Sequence, residues 1–368
     1  MIIVDELVHQ LEEWFPKALA ESWDNTGLLL GDEQTPVERV MTNLSLTEAS
    51  AEEAIREKAD LVISHHPIFF RKVSRLTAQG PDRPAYLLAR AGISLYSPHT
   101  SFDSASAGIN EQWANLLHLS EVSPLVPAEP GQCKFVVFVP ERDLEKVSQA
   151  MFAAGAGIIG EYRQCSFRMM GTGTFLGSEN SNPSVGQSGR LEEVAELRLE
   201  VVVPAAQRDA VIRAIRASHS YEEPAFDIYP LQAEPSSVGT GRQGILPQAT
   251  PLGELARKAG QAVKRRHVEI VGPVSALCRR VAIGCGSAGE LIARAARAGN
   301  DVFVTGEARF HDYLEAERLG IHLILLGHYA SERFAVEQLA DRMRRQWPLL
   351  SIWASKEEED PSCVVPIA

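Results

Sequence analysis

The chain has 368 residues, 45% of them hydrophobic and 23% charged, enough for a large core divided among two or three units. Its net charge of −12 argues against a general nucleic-acid binder, because phosphate contacts need a basic surface. No apolar run reaches the ~18 residues of a membrane span, and the scattered cysteines 133, 165, 278, 285 and 363, without C-x-x-C spacing, predict reduced thiols in a cytoplasmic protein.

The N-terminal run MIIVDELVHQLEEWF is acidic and amphipathic, unlike a signal peptide. Residues 40–46 read as a strand, 48–58 as a helix, and 60–64 as a short apolar strand leading into His65-His66-Pro67. A helix over 84–91 precedes a strand over 93–97 that ends in Pro98-His99-Thr100, and another helix is expected over 106–117. Such alternation predicts an α/β fold with a mostly parallel sheet covered by helices, and functional groups gathered where loops leave the strands.

The middle of the chain differs. A strand over 135–139 and a helix over 144–154 are followed by strands around 161–168 and 171–176. A polar loop (178–190), a strand (195–203), a helix (207–219) and a strand (225–231) complete it. The order β-α-β-β-α-β predicts an inserted ferredoxin-like α+β domain. Pro-rich runs at 123–131 and 233–241 bracket it. The expected domains are 1–130 and 233–368, the two halves of a discontinuous α/β core, with 131–232 inserted.

The C-terminal part repeats the first plan, with strands at 280–283, 301–305 and 321–326 and helices at 289–298, 312–319 and 331–346. Arg39-Val40 aligns with Arg280-Val281 and Ala59-Asp60-Leu61-Val62 with Asn300-Asp301-Val302-Phe303, at one constant offset. A similar offset sets His99-x-x-x-Asp103 against His328-x-x-x-Glu332. Two related halves facing a shared cleft are the expectation.

Adjacent imidazoles leaving a buried strand, as in His65-His66, can each serve a different metal ion, and carboxylates add charge neutralisation. Asp103 and Glu332 each follow a strand-terminal histidine by four residues, at a helix start that favours a carboxylate. Taken singly, these acids also read as helix caps and the histidines as satisfied loop residues. Their gathering at three strand ends favours a metal site. Gly284-Cys285-Gly286-Ser287-Ala288-Gly289 matches the G-x-G-x-x-G of a dinucleotide site, with Glu307 downstream for a ribose. That oxidoreductase reading leaves the histidines and acids unused, so a tight turn at the cleft floor is preferred.

The runs SWDNTGLLLGD (22–32), ISHHPIFF (63–70), YSPHTSFDSASAGIN (96–110), DVFVTGEARFHD (301–312) and GHYASERF (327–334) resemble the Nif-three-like family. Its bacterial members are called GTP cyclohydrolase I type 2 homologues, and the longer ones carry a PII- or CutA-like insert. The resemblance implies a toroidal homohexamer with two divalent ions per chain (zinc, iron, manganese or cobalt). The implied ligands are His65, His66, Asp103, His328 and a bridging Glu332, with His99 nearby. Ser101-Phe102-Asp103 stands where members often have Asn-Leu-Asp, and Glu307 where they often have Asp. The reaction expected is hydrolysis of a nucleotide or heterocyclic ring, with His99 or Glu307 moving the proton. The alternative is a non-catalytic, metal-dependent regulatory protein whose insert senses a small molecule.

Overall fold

The computed structural model describes residues 2–128, 131–231 and 236–363. The expected domain limits at 1, 130, 232, 233 and 368 lie outside the described residues. The chain separates into two compact units, Met1–Ala128 with Ser237–Ala368, and Glu129–Ser236.

In the first unit a five-stranded sheet runs Gly27–Leu30, Ser94–Ser97, Leu61–Ser64, Arg39–Asn43, Ser351–Ala354. The last four strands are parallel and Gly27–Leu30 is antiparallel. A six-stranded sheet runs Glu269–Val271, His322–Leu325, Val302–Glu307, Leu277–Ser287, Arg242–Pro251, Ser120–Ser123. Its second, third and fourth strands are parallel; the flanking ones are antiparallel. This sheet is therefore mixed rather than mostly parallel. The added strands lack a clean apolar period, and Arg242–Pro251 carries Gly244 and Pro247 with an irregular register between Ile245 and Thr250.

The parallel strands alternate buried faces. Val40, Leu61 and Ile63 share one core with Val281, Ile283, Val302, Val304 and Ile324, so the two sheets bury their inner faces against a common layer. Helices Val4–Trp14, Leu252–Ala262 and His328–Gln346 contribute Leu7, Leu255 and Leu339 to it. Met41, Val62 and Leu95 pack on the opposite face against helices Glu48–Arg56 and Arg83–Ala91. Strands buried on both faces favour apolar sequence, as in Leu61-Val62-Ile63, with buried Thr42, Asn43, Ser64, Ser94 and Ser97 toward the strand ends. Thr47 caps the first of those helices by accepting from Ser50 N at 3.2 Å.

The expected helix over 106–117 starts later, at Ile109, and a separate short helix, His99–Ser104, precedes it. Gly108 separates the two because a Cβ there would collide with Phe102 O.

The second unit has its own four-stranded antiparallel sheet, in the order Phe226–Pro230, Gln132–Val139, Leu191–Pro204, Phe167–Leu176. Helices Leu144–Ala153 and Arg208–Ser218 supply Val147, Met151, Val211 and Ile215 to a separate core. The two strands expected around 161–168 and 171–176 are one, Phe167–Leu176. Gly171 looks like a break in sequence, yet it pairs with Glu196 in an unbroken ladder. Among the described residues no helix is long and apolar enough to cross a membrane, and all five cysteines are free.

Candidate metal centre

His65 and His66 directly follow the buried strand Leu61–Ser64. Their backbone N–H groups donate to Asn43 O at 2.9 Å and Leu44 O at 2.8 Å, continuing the ladder and fixing both side chains. His99 opens its short helix with a φ of 34°, and Asp103 lies on the same helix. His328 opens the helix His328–Gln346, so Glu332 sits one turn along on the same face.

These residues converge. Glu332 Oε2 lies 3.1 Å from His66 Nε2 and 3.2 Å from His328 Nε2, so one carboxylate oxygen serves imidazoles from both halves of the unit. His65 Nε2 is 3.6 Å from Asp103 Oδ1. The ligand atoms of His65, His66 and His99 lie within 4.8 Å of one another, as do those of His66, His328 and Glu332. His65 is 2% exposed, and neither of its ring nitrogens has a hydrogen-bond partner.

Around them stand residues that sequence reasoning did not single out. Asp24 Oδ1 is 2.7 Å from His99 Nδ1, and the same carboxylate accepts from Thr100 N and Thr100 Oγ1. Ser45 Oγ is 2.7 Å from His66 Nδ1, and Glu358 accepts from Ser45 N at 2.6 Å. Asp24 lies inside the motif at 22–32, which was its only signal; Ser45 and Glu358 had none. Glu307 Oε1 is 3.0 Å from His328 Nδ1, which makes it a neighbour of that imidazole's outer nitrogen.

Burial pushes His65 well below its ordinary value, leaving a neutral imidazole with one ring nitrogen's lone pair available. Burial, with Glu332 beside it, pushes Asp103 up to about 7. His328 is pushed up to about 9 by its bond to Glu332. Burial works against the Glu332 carboxylate, but hydrogen bonds from His328 and His66 hold it well below the usual range.

The glycine run at 284–289 adjoins this cluster. Gly286 has a φ of 63°, and a Cβ there would collide with Glu332 Oε1. Its N–H donates to Ser331 Oγ at 2.9 Å. The close approach it permits is to a carboxylate of this chain. A cavity of about 1100 Å³ opens over the cluster, lined by His66, His99, Asp103, His328 and Glu332 among others. The clustered imidazoles and the Glu332 carboxylate, with the His65 ring buried and without a partner, suit a divalent metal ion.

The chain is 37% identical over 326 residues to the GTP cyclohydrolase 1 type 2 homolog of Halalkalibacterium halodurans, covering 88% of this chain and 87% of the relative. It is 38% identical over 347 residues to the protein of that name from Mycobacterium tuberculosis, covering 92% and 90%. The fold matches the crystal structure of a Bacillus cereus protein related to NIF3 with a TM-score of 0.68 at 32% identity, over 99% of each chain. A Staphylococcus aureus protein matches at 0.74 and 27%, also over 99% of each. The Duf34/NIF3 (NGG1p interacting factor 3) family model spans residues 2–361, and this chain belongs to that family.

Proposed function

We propose that this chain is a dinuclear divalent-metal hydrolase acting on a nucleotide or heterocyclic ring, with His65, His66, Asp103, His328 and Glu332 as ligands and Glu332 bridging. The observation that carries the reading is the fully buried His65 imidazole, unpartnered at both nitrogens beside the Asp103 carboxylate and the His66 and His99 imidazoles. A buried polar group left unpaired costs about 1–3 kcal/mol, which metal ligation removes. Zinc, iron, manganese or cobalt suits the donors.

Held by these residues, divalent ions would supply Lewis-acid chemistry for hydrolysis. The chain's residues do the rest. Ser45 and Glu307 engage the outer nitrogens of His66 and His328, turning each Nε2 toward the cavity. Asp24 holds His99 by Nδ1, which leaves His99 Nε2 to carry the proton. Glu307 Oε1 bonds to His328 Nδ1 and orients that imidazole, and its exposed carboxylate is the alternative proton carrier.

The β-α-β-β-α-β order of the second unit, with its first and third strands central, supports a ferredoxin-like, PII/CutA-like insert. A toroidal homohexamer is proposed as the assembly, testable by light scattering. The competing reading is a non-catalytic regulatory protein. Elemental analysis of protein purified without chelator, followed by turnover assays on purine nucleotides, separates them. Up to two divalent ions per chain and hydrolysis are expected; metal-free protein sinks the site. Metal without turnover leaves the regulatory reading.

A further inference from the structure

Trp23 and Phe70 are 61% and 55% exposed, and both line the cavity over the histidine cluster. Single exposed aromatics are ordinary on a protein surface. These two are distinguished by meeting the same imidazole. Their ring centroids lie 5.9 and 5.5 Å from that of His99, at interplanar angles of 75° and 85°. The residues beside them are also tied together. Asn25 Nδ2 donates to Phe69 O at 2.7 Å, Asp24 is bonded to His99 and Thr100, and Glu21 N donates to Thr100 Oγ1 at 3.0 Å. The segments that carry the two rings are thus joined to the His99 segment without a ligand, which lowers the ordering cost of binding one. Elsewhere on the lining, Arg294 is the sole Lys or Arg among the described residues, against Glu21, Asp103, Glu290 and Glu332.

We infer that Trp23 and Phe70 form a ring-holding subsite for a planar heteroaromatic substrate, seated beside His99, and that Arg294 receives its anionic substituent. Stacking on an aromatic side chain favours a planar ring by about 10- to 100-fold and tolerates different ring systems. A carbohydrate phosphate gains nothing from it. The inference deepens the proposed function, and it rests on that reading only in taking this cavity as the substrate site.

Calorimetry on the metal-loaded full chain tests it, with guanosine 5′-monophosphate, adenosine 5′-monophosphate and nicotinamide mononucleotide compared against ribose 5-phosphate. At least one ring-bearing ligand should bind about 10- to 100-fold tighter than ribose 5-phosphate. Trp23→Ala and Phe70→Ala should each remove most of that preference with metal content unchanged, and Trp23→Phe should restore it. Arg294→Ala should weaken ribose 5-phosphate and the nucleotides alike. The inference is overturned if no ring is preferred, or if both alanine variants keep the full preference. It also falls if they change only the oligomer mass, which would make the two rings an assembly contact. Ring preference without turnover would remove the hydrolase reading and leave this subsite standing.

Discussion

Asp24 Oδ1 lies 2.7 Å from His99 Nδ1, joining a turn near the N-terminus to the histidine at the start of the helix His99–Ser104. Burial disfavours the Asp24 carboxylate, but the bonds from His99 and Thr100 hold it at about 2. Burial likewise opposes the His99 cation, and Asp24 overcomes it, moving His99 up. In metal-free Asp24→Asn, the His99 imidazole should therefore titrate lower than in the wild type, as followed by NMR. Turnover in the metal-loaded variant should fall ~100-fold, the scale of a lost general acid–base contribution. Unchanged turnover would remove His99 from proton transfer.

Gly286→Ala should empty the site rather than leave it untouched. The added Cβ meets Glu332 Oε1, and the φ of 63° adds strain of about 1 kcal/mol for a non-glycine residue. Elemental analysis should show metal content falling toward that of Glu332→Ala, with the fold retained by circular dichroism. Full occupancy in Gly286→Ala would mean that Glu332 is not a ligand. Micromolar NAD affinity in the wild type, abolished by Gly286→Ala, would revive the dinucleotide reading.

Three of the site histidines were legible because each follows an apolar strand or opens the next helix, a position that marks itself by periodicity: His65 and His66 follow Leu61–Ser64 and His328 opens its helix. Glu332 and Asp103, expected at helix starts, lie further along, Glu332 one turn into its helix and Asp103 near the end of His99–Ser104. Asp24, Ser45 and Glu358 were not legible, because they reach the cluster from turns with no period and from far along the chain; Glu358 bonds to Leu44 N and Ser45 N. The same limit explains the antiparallel strand Arg242–Pro251, whose glycine and prolines look like linker until Leu277–Ser287 pairs with it. Asp60 and Asp301 are the counter-case. Asp60 accepts from Glu38 N and Arg39 N, and Asp301 from Arg279 N and Arg280 N, so the repeated sequence makes the same backbone staple in both sheets.

Acid should weaken the fold partly through Glu53. This side chain accepts from Ser355 Oγ at 2.6 Å, Lys356 N at 3.0 Å and Glu357 N at 3.2 Å, fastening the C-terminal segment to the helix Glu48–Arg56. Burial raises its carboxyl, but these bonds prevail and the net shift is downward from 4.5. A depressed carboxyl stabilises the fold above its ordinary value, and that contribution is lost as pH falls through the lower folded one. Glu53→Gln should cost about 1.5–3 kcal/mol at pH 7, the range for hydrogen bonds to a charged group. Its thermal midpoint should also depend less on pH than the wild type's as pH falls below 4.5. Parallel midpoints in that window would exclude Glu53 as a contributor.

Metal uptake should strengthen with rising pH. Asp103 at about 7 and His328 at about 9 both hold protons in the metal-free protein that a ligand must release. Affinity should climb roughly 10-fold per pH unit for each proton displaced, between pH 6 and 9. Competition with a chromophoric chelator measures it. A flat profile would place the metal away from these residues.

Residues 131–231 should be removable without loss of the metal centre. Val126–Pro127 pairs antiparallel with Gly239–Thr240, and Ala128 N donates to Val238 O at 2.9 Å, so the chain leaves and re-enters the first unit on neighbouring strands. A short Gly/Ser bridge can span such a gap at a loop-closure cost that grows only slowly with length. No residue of the histidine and carboxylate cluster comes from the excised segment, which has its own core around Phe135, Val201 and Ile215. The bridged protein should stay soluble, unfold cooperatively and retain the metal content of the full chain. Soluble but metal-free protein would show that the second unit supports the site, and aggregation would show that it is needed for folding or assembly.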